Sequence, residues 1–428
     1  MLTEREESYR VLLLWQKEGA FIKESGLSPF AMELALGVCR RHLYLEYFIK
    51  TLTKKMPSLE VKTILEMGLF QMFFMDVPDH AAINTSVEIA KAANLGDGAA
   101  RLVNAVLRSA RRTGEPALPP QRVRRVSIEN SVPEWLVRRW FDIYGADAAE
   151  AMAKSTLERP VEWIRVNTQK SSAPVVAQKI GLHGASILYD RYIELPRDVG
   201  VKLLLALPEF VNGEFSFQNP SAFEVVKLLD LKPGLKVWDA CAAPGGKSAL
   251  MAEMDSSLEI TASDSSAARL EKMQDLMTRL GLTNVKTECI DVVAAAPADS
   301  AQSSTPDLRA SNLTSLTPRF DRILLDVPCS NMGVIARRPE SVYRITQESV
   351  KELAELQFRI LENASKFLAE GGRLVYATCS PDPMETTQVI NRFIKAHPEF
   401  VKAGDAVLPG KNDSRLDGFF AQALEYKK

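Results

Sequence analysis

Two cysteines stand where a sequence can do covalent chemistry. Cys329 in "LLDVPCSNMG" and Cys379 in "VYATCSPDP" each follow a short apolar run, and Asp326 lies three residues before the first of them. A thiolate that adds to carbon 6 of a pyrimidine turns carbon 5 into an enamine-like nucleophile able to accept a methyl group. A free thiol with a pKa of about 8.5 is only a few per cent ionised at neutral pH, so such a site must lower that value or remove the proton during attack. Afterwards the hydrogen on carbon 5 must leave and the thiol must be eliminated, steps that a second cysteine can assist. Protonated, Asp326 can hydrogen-bond the ring nitrogen and amine of a cytosine as negative charge develops in the ring.

The stretch "VWDACAAPGGKSAL", residues 237 to 250, supplies the second component. It sets a glycine turn between an apolar run and a predicted helix beginning near Lys247. Gly245 and Gly246 allow backbone to approach a ligand, and the helix start offers unpaired N–H groups. The turn is neither G-x-G-x-x-G nor a Walker loop, which argues against dinucleotides and triphosphates. Asp264 ends the next predicted strand, 25 residues after Asp239, where an acid can bind ribose hydroxyls; Asp291 ends the one after and can accept from an exocyclic amine.

These residues must be positioned by alternating strands and helices. From residue 229 onward "LKVWDA", "LEITASD", "NVKTECID", "FDRILLDVP" and "GRLVYATCS" alternate with helical segments such as "SAARLEKMQDLMTRLG". That alternation predicts a doubly wound, Rossmann-like α/β domain over 229–428, with ligands beyond the carboxyl ends of the strands. Strand order 3-2-1-4-5 makes the two cysteine-bearing strands neighbours. "DGFFAQALEYKK" is expected to add a late antiparallel strand, and the Ala/Ser/Thr/Pro-rich residues 294–319 to form a flexible insertion.

The remainder reads as two further domains. Residues 1–145 predict an all-α bundle; in "SLEVKTILEMGLFQMFFMD", Val61, Ile64, Leu65, Met72 and Phe73 share a stripe. In "GAARLVNAVLRSARR", Leu102, Val103, Val106, Leu107 and Ala110 face one way, and Arg101, Arg108 and Arg112 the other. Residues 101–140 hold nine arginines against three acids, a local basic patch in a chain of 428 residues whose net charge is -1. Such a charge run reads first as a solvated surface, with RNA contact as the alternative. Residues 146–228 predict a small α+β module. The five cysteines show neither a disulfide framework nor zinc spacing. Cys39 and Cys289 read as packing residues and Cys241 mainly as packing under the turn. With no membrane-length apolar run, the expectation is a cytoplasmic protein.

"DACAAPGGKS", "LLDVPCSNMGV", "YATCS" followed by Glu385, and "DGFF" resemble the signature regions of the RNA cytosine-C5 methyltransferases, the Sun/NOL1/NOP2 family. "MGLFQMFFMDVPDHAAINTSVEIAK" with "RLVNAVLR" looks like the NusB-like RNA-binding domain carried by bacterial members that act on 16S ribosomal RNA. The resemblance spans nearly the whole chain. It implies S-adenosyl-L-methionine as cofactor, held by Cys241, Ala242, Ala243, Pro244, Gly245, Gly246 and Lys247 with Asp264, Asp291 and Asp326. It also implies Cys379 as nucleophile and Cys329 as the group assisting product release, with Asp326 and Lys247 completing the catalytic set. The expected partner is 16S ribosomal RNA, the middle module sharing in its binding; no metal, membrane or obligate protein partner is implied, and the expected state is a monomer. Asn331 and Thr386 depart from the family's usual Gly and Asn. A transfer-RNA methyltransferase and an RNA-binding assembly factor are the competing readings.

Overall fold

In the computed structural model, which describes residues 3–22, 26–197, 199–293, 320–408, 410 and 413–427, one unit joins Met1–Arg159 to the short segment Ile335–Ile345. The expected insertion at 294–319 lies outside the described residues. This unit is helical: α1 (Glu4–Glu18), α2 (Pro29–Arg40), α3 (His42–Leu52), α4 (Leu59–Phe74), α5 (Asp79–Ala92), α6 (Gly96–Thr113), α7 (Arg122–Asn130), α8 (Glu134–Tyr144) and α9 (Ala146–Ser155). Thr3, Ser28 and Ser58 start α1, α2 and α4 by accepting the backbone N–H three residues on, which satisfies a donor the helix itself cannot.

Helix α4 forms the centre of this unit. Val61, Ile64, Leu65, Met67, Leu69 and Phe70 are buried while Met72 and Phe73 are only half-buried, so its apolar surface is broader than the single expected stripe. Neighbours reach it closely through glycine: a Cβ on Gly37 of α2 would lie 2.0 Å from the Phe70 ring, and one on Gly68 would lie 2.6 Å from Leu107 of α6. On α6, Val103, Val106, Leu107 and Ala110 are buried and Arg101, Arg108 and Arg112 exposed; Leu102, expected on the core face, is exposed instead. The segment Ile335–Ile345 packs here through Tyr343, whose hydroxyl lies 3.1 Å from the Cys39 carbonyl and 3.0 Å from that of Ser131. Helix α9, grouped by sequence with the middle module, belongs to this unit too.

The second unit comprises Pro160–Val334 and Thr346–Lys428. Its first part is an antiparallel sheet of β1 (Trp163–Val166), β2 (Ile187–Leu188), β3 (Tyr192–Glu194) and β4 (Phe215–Phe217), ordered β2-β3-β1-β4. Helix α10 (Ala173–Lys179) contributes Val176 to a core with Ile164, Ile193 and Phe215. Two short helices, α11 (Val201–Leu205) and α12 (Pro208–Val211), precede β4.

After α13 (Ser221–Lys227) come β5 (Lys236–Asp239), α14 (Gly246–Met254), β6 (Glu259–Asp264), α15 (Ala267–Leu280), β7 (Val285–Cys289), β8 (Phe320–Asp326), α16 (Gln347–Ser365), β9 (Leu368–Thr378), α17 (Thr387–Ala396), β10 (Phe400–Lys402) and β11 (Phe420–Tyr426). The sheet order is β10-β11-β9-β8-β5-β6-β7, parallel from β9 to β7, with β11 antiparallel to both β9 and β10. This matches the order and the antiparallel addition expected from the sequence. Apolar clusters cover the sheet: Trp238, Leu325 and Phe393 belong to one, Val237, Leu250 and Leu324 to another. Burial of that kind is what a parallel sheet demands. Edge strand β7 is the exception, and Cys289, expected to be packed, is exposed on it. No helix among the described residues is long and apolar enough to cross a membrane.

Candidate active site

The carboxyl ends of β5, β6, β8 and β9 bring most of the expected residues together. After β5 the chain turns through Cys241–Gly245 into α14, which starts at Gly246 without a side-chain cap. Gly245 takes φ of 100°, and a Cβ there would meet Met273 of α15 at 2.7 Å; a Cβ on Gly246 would lie 3.0 Å from Gln218. The left-handed backbone and the close Met273 therefore demand glycine at 245, whereas at 246 only the movable end of Gln218 stands in the way. Cys241 is half-buried against the core that includes Trp238 and Leu325, and desolvation pushes its thiol pKa up, which suits packing better than chemistry.

Each acid has a distinct setting. Asp239 is buried, accepts from the Ser248 hydroxyl at 2.5 Å, and its Oδ1 has no hydrogen-bond partner among the described residues; burial pushes its pKa up to about 7. Asp264 accepts from the backbone N–H of Ser266 at 2.9 Å and from Arg269 at 2.6 Å. Asp291 accepts from the backbone N–H of Val293 at 2.9 Å. Asp326 accepts from Lys247 Nζ at 2.5 Å, and the ammonium also sits 4.8 Å from the centre of the Phe419 ring. Burial alone depresses the Lys247 pKa, but Asp326 more than reverses it and the net shift is upward. Lys247 is thus held as a cation beside Asp326.

Cys329, after β8, and Cys379, after β9, meet with their sulfurs 2.8 Å apart. Cys329 is drawn below the ordinary thiol range, chiefly by the hydrogen bond from Cys379; that same bond, reinforced by burial, pushes Cys379 up. Behind them Glu385 is fully buried. Its carboxylate accepts from the Ser330 N–H (2.9 Å) and hydroxyl (2.5 Å), the Ser380 hydroxyl (2.6 Å) and Gln357 Nε2 (3.0 Å). One carboxylate thus ties the residue after each cysteine to the other. Gly333 closes the site: its N–H donates to the Cys379 carbonyl at 2.8 Å, its carbonyl accepts from Gly418 of "DGFF" at 3.0 Å, and a Cβ would collide with both segments.

Sequence reasoning missed Gln357 and Ser330. Gln357 left a faint trace as a polar residue on the apolar face of α16. Elsewhere, ligand atoms of His42, Glu46 and Glu66 lie within 4.8 Å of one another. There the Lys62 ammonium lies 2.9 Å from Glu46 and 3.8 Å from Glu66, so the cluster already holds a cation.

S-adenosylmethionine carries a sulfonium, an ammonium, a carboxylate and ribose hydroxyls. The orphaned Asp239 oxygen, strand-end acids and uncapped α14 start fit that donor set. Fold and site define a methyltransferase. Family models match the chain in three stretches: the 16S rRNA methyltransferase RsmB/F over residues 226–407, the NusB family over 5–112, and the RsmF/B-like ferredoxin-like domain over 132–189. The probable ribosomal RNA small subunit methyltransferase B of Bacillus subtilis (strain 168) is 35% identical, covering 99% of this chain and 96% of that protein. The ribosomal RNA small subunit methyltransferase B of Shewanella oneidensis is 34% identical over 78% of this chain and 73% of that one. The chain belongs to the 16S rRNA methyltransferase RsmB/F family, whose members use S-adenosylmethionine and act on ribosomal RNA. Its fold is also that of the crystal structure of PH0851, at a TM-score of 0.78, 20% identity and coverage of 100% and 99%.

Proposed function

We infer that the chain methylates carbon 5 of a cytosine in 16S ribosomal RNA through a covalent adduct at carbon 6. The observation that carries this reading is the meeting of the two sulfurs, 2.8 Å apart, beside the Lys247–Asp326 pair. Cys379 is the nucleophile. Its sulfur bonds carbon 6, and the Asp326 carboxylate, its charge balanced by Lys247, accepts from the cytosine amine. S-adenosylmethionine, when bound, supplies an electrophilic methyl group. The backbone from Cys241 to Lys247 binds its methionine part, while Asp239, Asp264 and Asp291 accept from its ammonium, ribose and adenine. Cys329 assists elimination of Cys379 after carbon 5 has lost its hydrogen. To reach the thiols, the base must leave its stack.

The test is to replace each cysteine by Ala and incubate with cofactor and unmodified 16S RNA. Cys329→Ala is expected to accumulate a denaturation-resistant protein–RNA adduct, and Cys379→Ala neither to trap nor to methylate. The reverse pattern exchanges the two roles. An inactive wild type without adduct in either variant favours an RNA-binding assembly factor.

A further inference from the structure

Asn331 touches both thiol loops. It holds φ of 61°, a left-handed conformation that asparagine tolerates better than most side chains. Its Nδ2 donates to the Cys329 carbonyl at 3.1 Å, and its Oδ1 accepts from the Cys379 thiol at 3.1 Å. The amide orientation follows from chemistry: a carbonyl can only accept, so the amino end must face Cys329 and the oxygen must face Cys379. An oxygen lone pair at that distance stabilises S–H and repels a thiolate. At Cys329 the balance is opposite, because the Thr378 side chain and the Asn331 backbone both supply hydrogen bonds that favour the anion.

We propose that Asn331 is a positioning residue that sorts the proton of the thiol pair, keeping it on Cys379 and making Cys329 the resident base. As the Cys379 sulfur bonds carbon 6, its S–H turns from Asn331 Oδ1 toward Cys329 and breaks, and the proton passes across the 2.8 Å gap to the Cys329 thiolate. The step balances without a co-reactant: one C–S and one S–H bond form while the Cys379 S–H bond and the carbon 5–carbon 6 π bond open, the π pair moving between carbons 5 and 4 and the negative charge passing from Cys329 to the ring nitrogen N3. This inference rests on the reading of Cys379 as nucleophile.

The test compares wild type with Asn331→Gly, which the left-handed backbone accepts, and with the isosteric Asn331→Asp. Iodoacetamide labelling of each thiol is followed from pH 6 to 10 by peptide mass spectrometry. The other charged groups felt by the pair are Asp326 on β8, Lys247 on α14 and Glu385 ahead of α17; all are common to the three proteins. Wild type is expected to label Cys329 first near neutral pH. Asn331→Gly should move the Cys329-to-Cys379 ratio at least fivefold toward Cys379, and Asn331→Asp should delay Cys379 to higher pH. Asn331→Gly should also shift the pH profile of kcat for methyl transfer without altering KM for RNA. Identical labelling ratios in all three proteins, or a Gly variant that protects Cys379, would overturn the inference. Labelling needs no RNA, so the nucleophile reading fails separately, if Cys379→Ala still methylates.

Discussion

Arg165 on β1 donates to the backbone carbonyl of Gly246 at 2.7 Å, so the antiparallel module reaches directly into the turn that opens α14. The guanidinium is 1% exposed and also binds Gln218 at 2.5 Å and Glu253 at 2.8 Å. A planar fork with several donors suits three acceptors at once, which lysine cannot match. The module is therefore structural support for the turn that opens α14.

Arg165→Met should cost roughly 3–5 kcal/mol of stability, because Glu253 is left buried without its partner. Adding Glu253→Leu should restore most of that loss. Affinity for S-adenosylmethionine should stay about tenfold weaker in both variants, since the Gly246 carbonyl lacks its donor in each. Urea unfolding and calorimetric titration separate the two effects; recovery of cofactor affinity in the double variant would contradict the bracing role.

Glu385 makes a sharper demand on the cysteine loops. Glu385→Ala removes the acceptor of four hydrogen bonds at a site sealed from water, leaving Ser330, Ser380 and Gln357 to find other partners. Unsatisfied buried donors cost about 1–3 kcal/mol each before relaxation. Methyl transfer should fall by about a hundredfold while cofactor affinity stays within about twofold. Glu385→Gln, which keeps one acceptor oxygen for the N–H donors and lets the hydroxyls rotate, should fall much less. Single-turnover methylation beside calorimetry decides it, and equal loss in both variants would argue that negative charge is what the site requires.

How much of this was legible in the sequence differs from element to element. Alternating apolar runs sufficed for the strand order, and with it the meeting of Cys329 and Cys379, because right-handed crossovers leave few topologies. Glu385 was visible only as a signature residue, since its partners come from three separate segments and no periodicity links them. Tyr343 illustrates a deeper limit. A segment inserted between α/β elements belongs with the helices because of the carbonyls its hydroxyl meets on Cys39 and Ser131, a relation that local pattern cannot carry. The exposed Leu102 and Cys289 show the same limit at single residues, where periodicity gives a face but not what covers it.

Asp239 gives the apoprotein a pH dependence with a definite sign. Its folded pKa of about 7 lies above the roughly 3.9 of an unfolded aspartate, so between these values the folded state binds more protons. The stabilising contribution is present in full below about pH 4 and is lost as pH rises through 7; three pKa units correspond to about 4 kcal/mol. Asp239→Asn should flatten the stability curve across this window when urea midpoints are compared between pH 4.5 and 7.5. An unchanged slope would mean that another group carries the proton.

Salt dependence tests the basic face of α6. Arg101, Arg108 and Arg112 are exposed on it, whereas Arg111 is held by Asp79 at 3.0 Å. If the three exposed guanidiniums contact phosphates, each releases condensed counterions, and log K falls against log salt by about 0.7–0.9 per contact. Replacing all three by Gln should make that slope shallower by about 2–3 and weaken binding of 16S RNA fragments most at low salt. Arg111→Gln is the internal control: its charge is already partly neutralised, so the slope should change by less than about 1. Filter binding at several salt concentrations measures both. Equal slopes for wild type and the triple variant would make this face an ordinary solvated surface and move the phosphate contacts elsewhere on the chain.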